Sequence, residues 1–448
     1  MFVSSDEVFS WLSKFINLER GQIVRSFRLD RMEFLAELAG NPERWAPSIH
    51  IAGSKGKGSV TGMSAAILAA AGYRVARYMS PHVIDIRERI CLNDSYFSEA
   101  VYCAAGNELR EIAEVRLPAA ANELFDPETE DGCEPTYFEL LTLLFFLCAK
   151  HANCNVMVVE TGMGGRLDST NVLDPLVSVI TLIEIEHSRF LGNTITEIAG
   201  EKAGIIKQGK PVVLANQSEE ALEVFRKKAE EKNSKLIYMP DTVKISDLKI
   251  NPNGTEWRQT PFSTQFFIPI PGQIQAENAA LAVLAVKTAF PQITGETIRQ
   301  GLANVFVPGR FEKISETPPF IIDGAHTPKS LELCVKTFCS LYGEGGILLF
   351  GCAADKDAAA MAEVAHSHFS RIIITTPGTF KISNPVQVFE AFVLLAGRNK
   401  TILVPDTNEA IRFAELLRHK EGNKLPVLGT GSFYLVSEIR KSMCDTKL

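Results

Sequence analysis

Between Ile49 and Ser59 the chain reads Ile-His-Ile-Ala-Gly-Ser-Lys-Gly-Lys-Gly-Ser. A short β-branched run ends in a turn that holds Gly53, Ser54, Lys55, Gly56, Lys57, Gly58 and Ser59, and a small-residue helix is expected from about Val60 to Ala71. Where a strand hands over to a helix through such a turn, successive N–H groups converge on one point. The helix end adds partial positive charge and Lys57 a full one, a combination that suits the phosphates of a nucleotide. The spacing departs from the general phosphate loop, in which four residues separate the first glycine from Gly-Lys and a Ser or Thr follows directly. Here two residues separate Gly53 from Gly56-Lys57, and Gly58 intervenes before Ser59. A tight turn that uses glycine for its backbone alone is the plain alternative; two lysines in one turn speak against it.

Other groups able to do chemistry stand just past hydrophobic runs. Glu160 closes Val156-Met157-Val158-Val159 and is either an ion ligand or a partner for a helix N-terminus. His187 follows Glu184 and Glu186 and is either a metal ligand or a satisfied surface group. Ser80, in Met79-Ser80-Pro81-His82, is otherwise an ordinary turn residue. The three gain weight together, since each follows a strand expected in the sheet that bears the glycine turn. Mg²⁺ takes few protein ligands and bridges nucleotide phosphates, so three such ligands suit it. Lys202 reads equally as a solvated helical lysine, and Asp323-Gly324-Ala325-His326 as either a nucleotide contact or a turn.

These residues need a scaffold that gathers strand ends. Helical spacing through Val8, Trp11, Leu12 and Phe15, then Met32, Leu35 and Leu38, predicts helices over most of residues 1–46, ended by Asn41-Pro42. Val75 to Met79, Val156 to Val159, Val177 to Ile183 and Pro211 to Leu214 read as strands; Pro135 to Lys150, Thr194 to Ala203 and Ala276 to Phe290 read as helices. Residues 112–135 are polar, include Asp126-Pro127 and Asp131-Gly132, and predict a loop or insertion. The proline-rich stretch 240–272 predicts a small antiparallel patch. After Pro308-Gly309-Arg310 a fresh strand–helix cycle begins, with strands at Phe320–Ile322, Ile347–Phe350, Ile372–Thr375, Ile402–Val404 and Val427–Leu428. The expected fold is α/β: a larger mononucleotide-binding domain with a mostly parallel sheet over residues 1–307, and a smaller Rossmann-like domain over 308–448.

Bulk properties narrow the partners. A length of 448 residues allows two or three domains, and 46% hydrophobic with 22% charged residues suits a globular enzyme. The formal net charge of −7, without a basic block, argues against nucleic acid. Nine scattered cysteines without a CxxC pair point to reduced thiols in a cytoplasm rather than to disulfides or a zinc site. The first residues lack a secretory signal pattern, and the greasy run Leu140 to Ala149 is about half a membrane span.

Taken in order, the motifs resemble the folylpolyglutamate synthase/dihydrofolate synthase family of the Mur ligase superfamily. The landmarks are Gly53 to Ser59, Ser80-Pro81-His82 with Glu88-Arg89-Ile90, Thr136-Tyr137-Phe138-Glu139, Glu160 to Asn171 and Glu201 to Lys207, then Pro308 to Glu312, Asp323 to His326 and Asp355-Lys356-Asp357. The resemblance runs from Arg31-Met32 to Gly429-Thr430-Gly431-Ser432. It implies ATP-dependent joining of L-glutamate to a reduced folate or dihydropteroate through an acyl phosphate, by a cytoplasmic monomer that uses ATP and two Mg²⁺ ions. It further implies that Lys57 and its loop hold the β- and γ-phosphates, that Asn278, Arg310, Asp323 and His326 contact the nucleotide, and that Ser80, Glu160 and His187 hold magnesium. Lys202 matches a lysine that the family carbamylates to ligate a second magnesium. Thr136, Phe138 and Asp168 match the pterin-side positions. The sequence departs from the family at Ser54-Lys55, where Thr-Asn is usual, at Glu186, where Asp is usual, and at Thr327, where Asn is usual. A superfamily member acting on a peptidoglycan precursor and an ATP-binding protein without ligase activity are the other readings weighed.

Overall fold

The computed structural model describes residues 1–17, 28–124, 134–262, 264–420 and 424–444. Three sheets organise them. The first has seven strands: β1 (Ser48–Ala52), β2 (Val75–Tyr78), β3 (Ile90–Leu92), β4 (Val156–Glu160), β5 (Val177–Ile180), β6 (Val212–Leu214) and β7 (Leu236–Tyr238), in the order β3-β2-β4-β1-β5-β6-β7. All neighbours are parallel except β2 and β3. Strands β1, β4 and β5 are buried at every residue, which is why they read as continuous apolar runs and not as alternating ones.

A three-stranded antiparallel sheet follows, β8 (Ile245–Asn251), β9 (Gly254–Gln259) and β10 (Gln265–Ile268), as the proline-rich stretch predicts. The third sheet has six strands: β11 (Glu312–Glu316), β12 (Pro319–Ile322), β13 (Gly346–Phe350), β14 (Phe369–Ile374), β15 (Thr401–Leu403) and β16 (Val427–Thr430), ordered β11-β12-β16-β13-β14-β15. Only β11 runs antiparallel, as a hairpin partner of β12.

Register decides which strand ends meet. Ile51 of β1 lies opposite Glu160 of β4, Tyr78 of β2 opposite Val159, and Ala52 opposite Ile180 of β5. The segments leaving β2, β4, β1 and β5 therefore leave side by side at one carboxyl edge, carrying Ser80, Glu160, the glycine turn and Glu186-His187 in that order. The helix Lys57–Ala70 after the turn is buried from Gly58 to Leu68. Its small side chains allow that close cover.

One expectation fails. Residues 112–124 are helical, not a loop: the helix Glu99–Glu111 continues through a π turn, Ile112–Arg116, into the helix Leu117–Leu124. Buried Leu109, Ile112 and Leu117 anchor that polar run against an apolar core, so its solvent side set the composition and its buried side set the structure. Asp126-Pro127 and Asp131-Gly132 lie outside the described residues. No helix among those described is long and apolar enough to cross a membrane.

Candidate active site

The glycine turn is built around two conformations that a side chain resists. Gly56 has φ +90°, and a Cβ on it would stand 2.5 Å from Asn278 Oδ1. Gly53 has φ +146°, and a Cβ there would fall 1.8 Å from Thr181 Oγ1. Each glycine is thus fixed by its own conformation and by a neighbour pressed against it. Behind the turn, Lys57 Nζ and Lys202 Nζ both donate to the Gly53 carbonyl oxygen, at 2.9 and 2.8 Å. Lys202, expected as either a solvated lysine or a site residue, is 1% exposed and also pairs with Glu186 Oε1 at 3.1 Å. Burial lowers its pKa from 10.5 to about 8, with Glu186 partly opposing the shift.

Glu186 is the hub of this side. Lys55 Nζ lies 3.8 Å from its Oε2. Burial alone would raise the carboxyl, but the ammonium groups of Lys57, Lys202 and Lys55 outweigh it and hold Glu186 at about 2. His187 beside it is exposed and takes φ +48°, a conformation that few non-glycine residues adopt.

Across the turn, Glu160 is 3% exposed and its Oε2 receives a long hydrogen bond from the Ser80 N–H, at 3.4 Å. Burial raises its pKa from 4.5 to about 7, against the pull of Lys57 and Arg310. A buried carboxylate so thinly compensated suits a hard cation. The Ser80 segment is itself ordered by Glu88, which accepts from the N–H groups of Val83, Ile84 and Asp85, and by Arg89, whose Nε donates to His82 Nδ1. That explains the place of Glu88-Arg89 among the sequence landmarks.

The third sheet supplies the facing wall. Arg310 stacks over Phe433 with its guanidinium carbon 4.1 Å from the ring centroid. His326 Nδ1 sits 2.8 Å from the Gly324 carbonyl oxygen, a placement that makes it the protonated nitrogen. Nε2 is then left to accept from Lys55 Nζ at 3.4 Å. Burial, reinforced by the charge on Lys55, holds His326 at about 3. Asp323 faces away: its oxygens accept from the N–H groups of Phe311 and Ala325, both at 2.8 Å.

These walls enclose one cleft of about 470 Å³. Ser54, Lys55, Gly56, Lys57, Gly58, Ser80, Glu160, His187, Arg310 and His326 line it, as do Thr136, Phe138 and Asp168 at the far end. Gly53, Ser59, Lys202, Asn278 and Asp323 do not line it; they stand behind its wall. At the far end Phe138 packs over Gly162, where a Cβ would come within 2.2 Å of its ring. Thr136 caps the helix Tyr137–His151 and is bound to Glu139. Asp168 spends its oxygens on the N–H groups of Met163 and Thr170 and on the Thr170 hydroxyl. Two of the three pterin-side residues thus shape the wall, and Phe138 offers it a ring. Sequence reasoning passed over the Arg31–Glu139 ion pair beside them, with Arg31 Nε 2.9 Å from both carboxylate oxygens. Its one signal was Arg31-Met32 at the start of the resemblance.

Two family models and several known proteins match the chain. Residues 120–286 match the Mur ligase middle domain, and residues 309–431 match the Mur ligase glutamate ligase domain. The chain is 34% identical to a dihydrofolate synthase/folylpolyglutamate synthase of Bacillus subtilis, over 93% of this chain and 94% of that protein. Among solved structures it is similar to a Mycobacterium tuberculosis folylpolyglutamate synthase complexed with ADP and AMPPCP, with a TM-score of 0.87 and 27% identity over 98% of this chain and 97% of that one. An FPGS–AMPPCP–folate complex matches with a TM-score of 0.82 and 29% identity, over 98% and 99% of the two chains.

Proposed function

The chain belongs to the folylpolyglutamate synthase/dihydrofolate synthase family of Mur ligases, and from that premise we propose how its cleft joins L-glutamate to a folate or dihydropteroate carboxylate. The enzyme is an ATP-dependent ligase that forms an amide bond. The observation that carries the reading is the convergence in one cleft of Lys57, Glu160 and Ser80 from the seven-stranded sheet with Arg310 and His326 from the six-stranded side.

A carboxylate is a poor electrophile in water. Its oxygen attacks the γ-phosphorus of ATP, the bond to the bridging oxygen breaks, and ADP leaves an acyl phosphate. The unprotonated amine of L-glutamate then adds to the acyl carbon, the acyl C–O bond breaks so that phosphate departs carrying one oxygen of the former carboxylate, and the amine proton passes to solvent. Lys57 and the N–H groups of its turn neutralise charge gathering on the transferring oxygens, and Arg310 does so from the facing wall. Phe138 and the Arg31–Glu139 wall hold the ring system, so that the carboxylate reaches the phosphate already oriented. Closure of the two lobes excludes water that would otherwise hydrolyse the acyl phosphate.

Glu160, Ser80 and His187 would hold Mg²⁺, and their set, with a buried carboxylate whose desolvation outweighs the pull of Lys57 and Arg310, fits that ion. Bound there, Mg²⁺ supplies Lewis-acid stabilisation of the phosphoryl oxygens. Lys202, with its pKa lowered to about 8, gives up its proton more readily than an ordinary lysine, and the neutral amine is the form that reacts with CO₂; carbamylated, it would join Glu186 in a second site. A division near residue 307, a monomeric state and a cytoplasmic setting belong to the same reading. The test is direct: purified protein is given ATP, Mg²⁺ and L-glutamate with dihydropteroate or, separately, tetrahydrofolate, and the products are weighed. Addition of one glutamyl residue to either supports the reading, and nucleotide hydrolysis indifferent to both substrates refutes it.

A further inference from the structure

At the edge of the six-stranded sheet opposite the cleft, three side chains from separate segments converge. Cys339 lies in the last turn of the helix Pro328–Tyr342, Glu344 in the turn that enters β13, and His368 immediately before β14. Cys339 Sγ is 3.6 Å from Glu344 Oε2, and His368 Nδ1 is 3.0 and 3.1 Å from the two carboxylate oxygens. One ligand atom from each residue lies within 4.8 Å of the others.

The backbone holds them there. Strands β13 and β14 pair with Gly346 opposite Phe369, so the residues just before them are neighbours by register. The Gly343 N–H donates to the Cys339 carbonyl at 2.9 Å, and the Gly345 N–H donates to the His368 carbonyl at 2.8 Å. Glu344 sits between those two glycines, so the main chain of each candidate ligand is tied to the next. Tetrahedral zinc, with bonds of about 2.3 Å to sulfur and about 2.1 Å to nitrogen or oxygen, has edges of about 3.6 Å for S···O and about 3.4 Å for N···O. The first matches the observed spacing, and the second differs by a few tenths of an ångström.

We propose that Cys339, Glu344 and His368 bind a Zn²⁺-class ion. A thiolate, an imidazole and a carboxylate favour such a borderline cation over Mg²⁺, which prefers oxygen and its own waters. Glu344 keeps 65% of its side chain exposed, which leaves the fourth position to solvent. The ion ties a helix end to two strand starts, so it is a staple of the six-stranded side. The widely spaced cysteines had pointed away from zinc because the site uses one cysteine and gathers its other ligands through the fold.

The test uses the full chain, stripped with chelator and titrated with Co²⁺. The expected result is a near-ultraviolet thiolate-to-cobalt band with tetrahedral visible bands, displaced by Zn²⁺, and a melting temperature raised by Zn²⁺. A cation in the cleft gives no thiolate band, because no described cysteine lines it. Cys339→Ser should lose the band, and Glu344→Gln should weaken Co²⁺ binding, while both keep the Mg²⁺-dependent ligase activity that reports a folded protein. No band in the parent, or a band unchanged in Cys339→Ser, overturns the proposal.

Discussion

Replacing Glu160 by Gln should make the protein more stable at alkaline pH while it sharply lowers turnover. Glu160 is almost wholly buried, and its pKa rises from 4.5 to about 7 on folding, because desolvation outweighs Lys57 and Arg310. The folded protein therefore holds a proton on this carboxyl that the unfolded chain releases between those two values. Stability is complete below pH about 4.5 and is withdrawn as pH rises through 7. At about 1.4 kcal/mol per pH unit, ionisation removes about 3 kcal/mol from the folded state above pH 7. Burying the glutamine amide in its place returns about 1 kcal/mol of that gain. The net expectation is a variant about 2 kcal/mol more stable at pH about 8, with the gain fading toward pH 4.5. Thermal unfolding without divalent cation or nucleotide, across that pH range, reads the effect. The same variant should lose at least about a hundredfold in turnover. A variant less stable than the parent at pH about 8, or a difference that does not move with pH, would refute the electrostatic reasoning.

Three further outcomes follow from the geometry. Gly56→Ala forces a Cβ against Asn278 at positive φ and should cost about 1–3 kcal/mol, with weaker binding of an ATP analogue in calorimetric titration. Arg31→Met takes the counter-charge from the buried Glu139 carboxylate, leaving it the Thr136 hydroxyl and N–H as donors, and should cost about 3 kcal/mol in urea unfolding, while raising KM for the folate-like substrate more than it lowers kcat. For Lys202, isotopically labelled bicarbonate should give a carbamate NMR signal that Lys202→Arg lacks, and removing CO₂ should lower activity reversibly.

Much of the candidate site's carboxyl edge was legible because each group stands at the end of a buried strand or just past it, and buried parallel strands are continuous apolar runs. Glu160 at the end of β4, Ser80 after β2 and the turn after β1 came out as neighbours for that reason. The sequence was silent where a role depends on what lies behind a residue. Lys202 reads as an ordinary helical lysine, yet it is buried against the Gly53 carbonyl; Glu186 reads as a substitution, yet it gathers two lysines. Asp168 and Thr136 were expected at the substrate, and their polar atoms are largely spent on the wall. The helical run 112–124 was missed because its polar face outnumbers the few buried anchors. The β11 edge strand went unread because its residues are half-buried and mostly polar.

The central claim is that ATP activates a carboxylate by phosphorylation within the cleft. Its most direct test is a dihydropteroate or tetrahydrofolate substrate whose carboxylate carries heavy oxygen, turned over with ATP and L-glutamate. The account predicts one labelled oxygen in the inorganic phosphate released for each amide formed. Label in AMP, or amide formation that leaves the phosphate unlabelled, would contradict it.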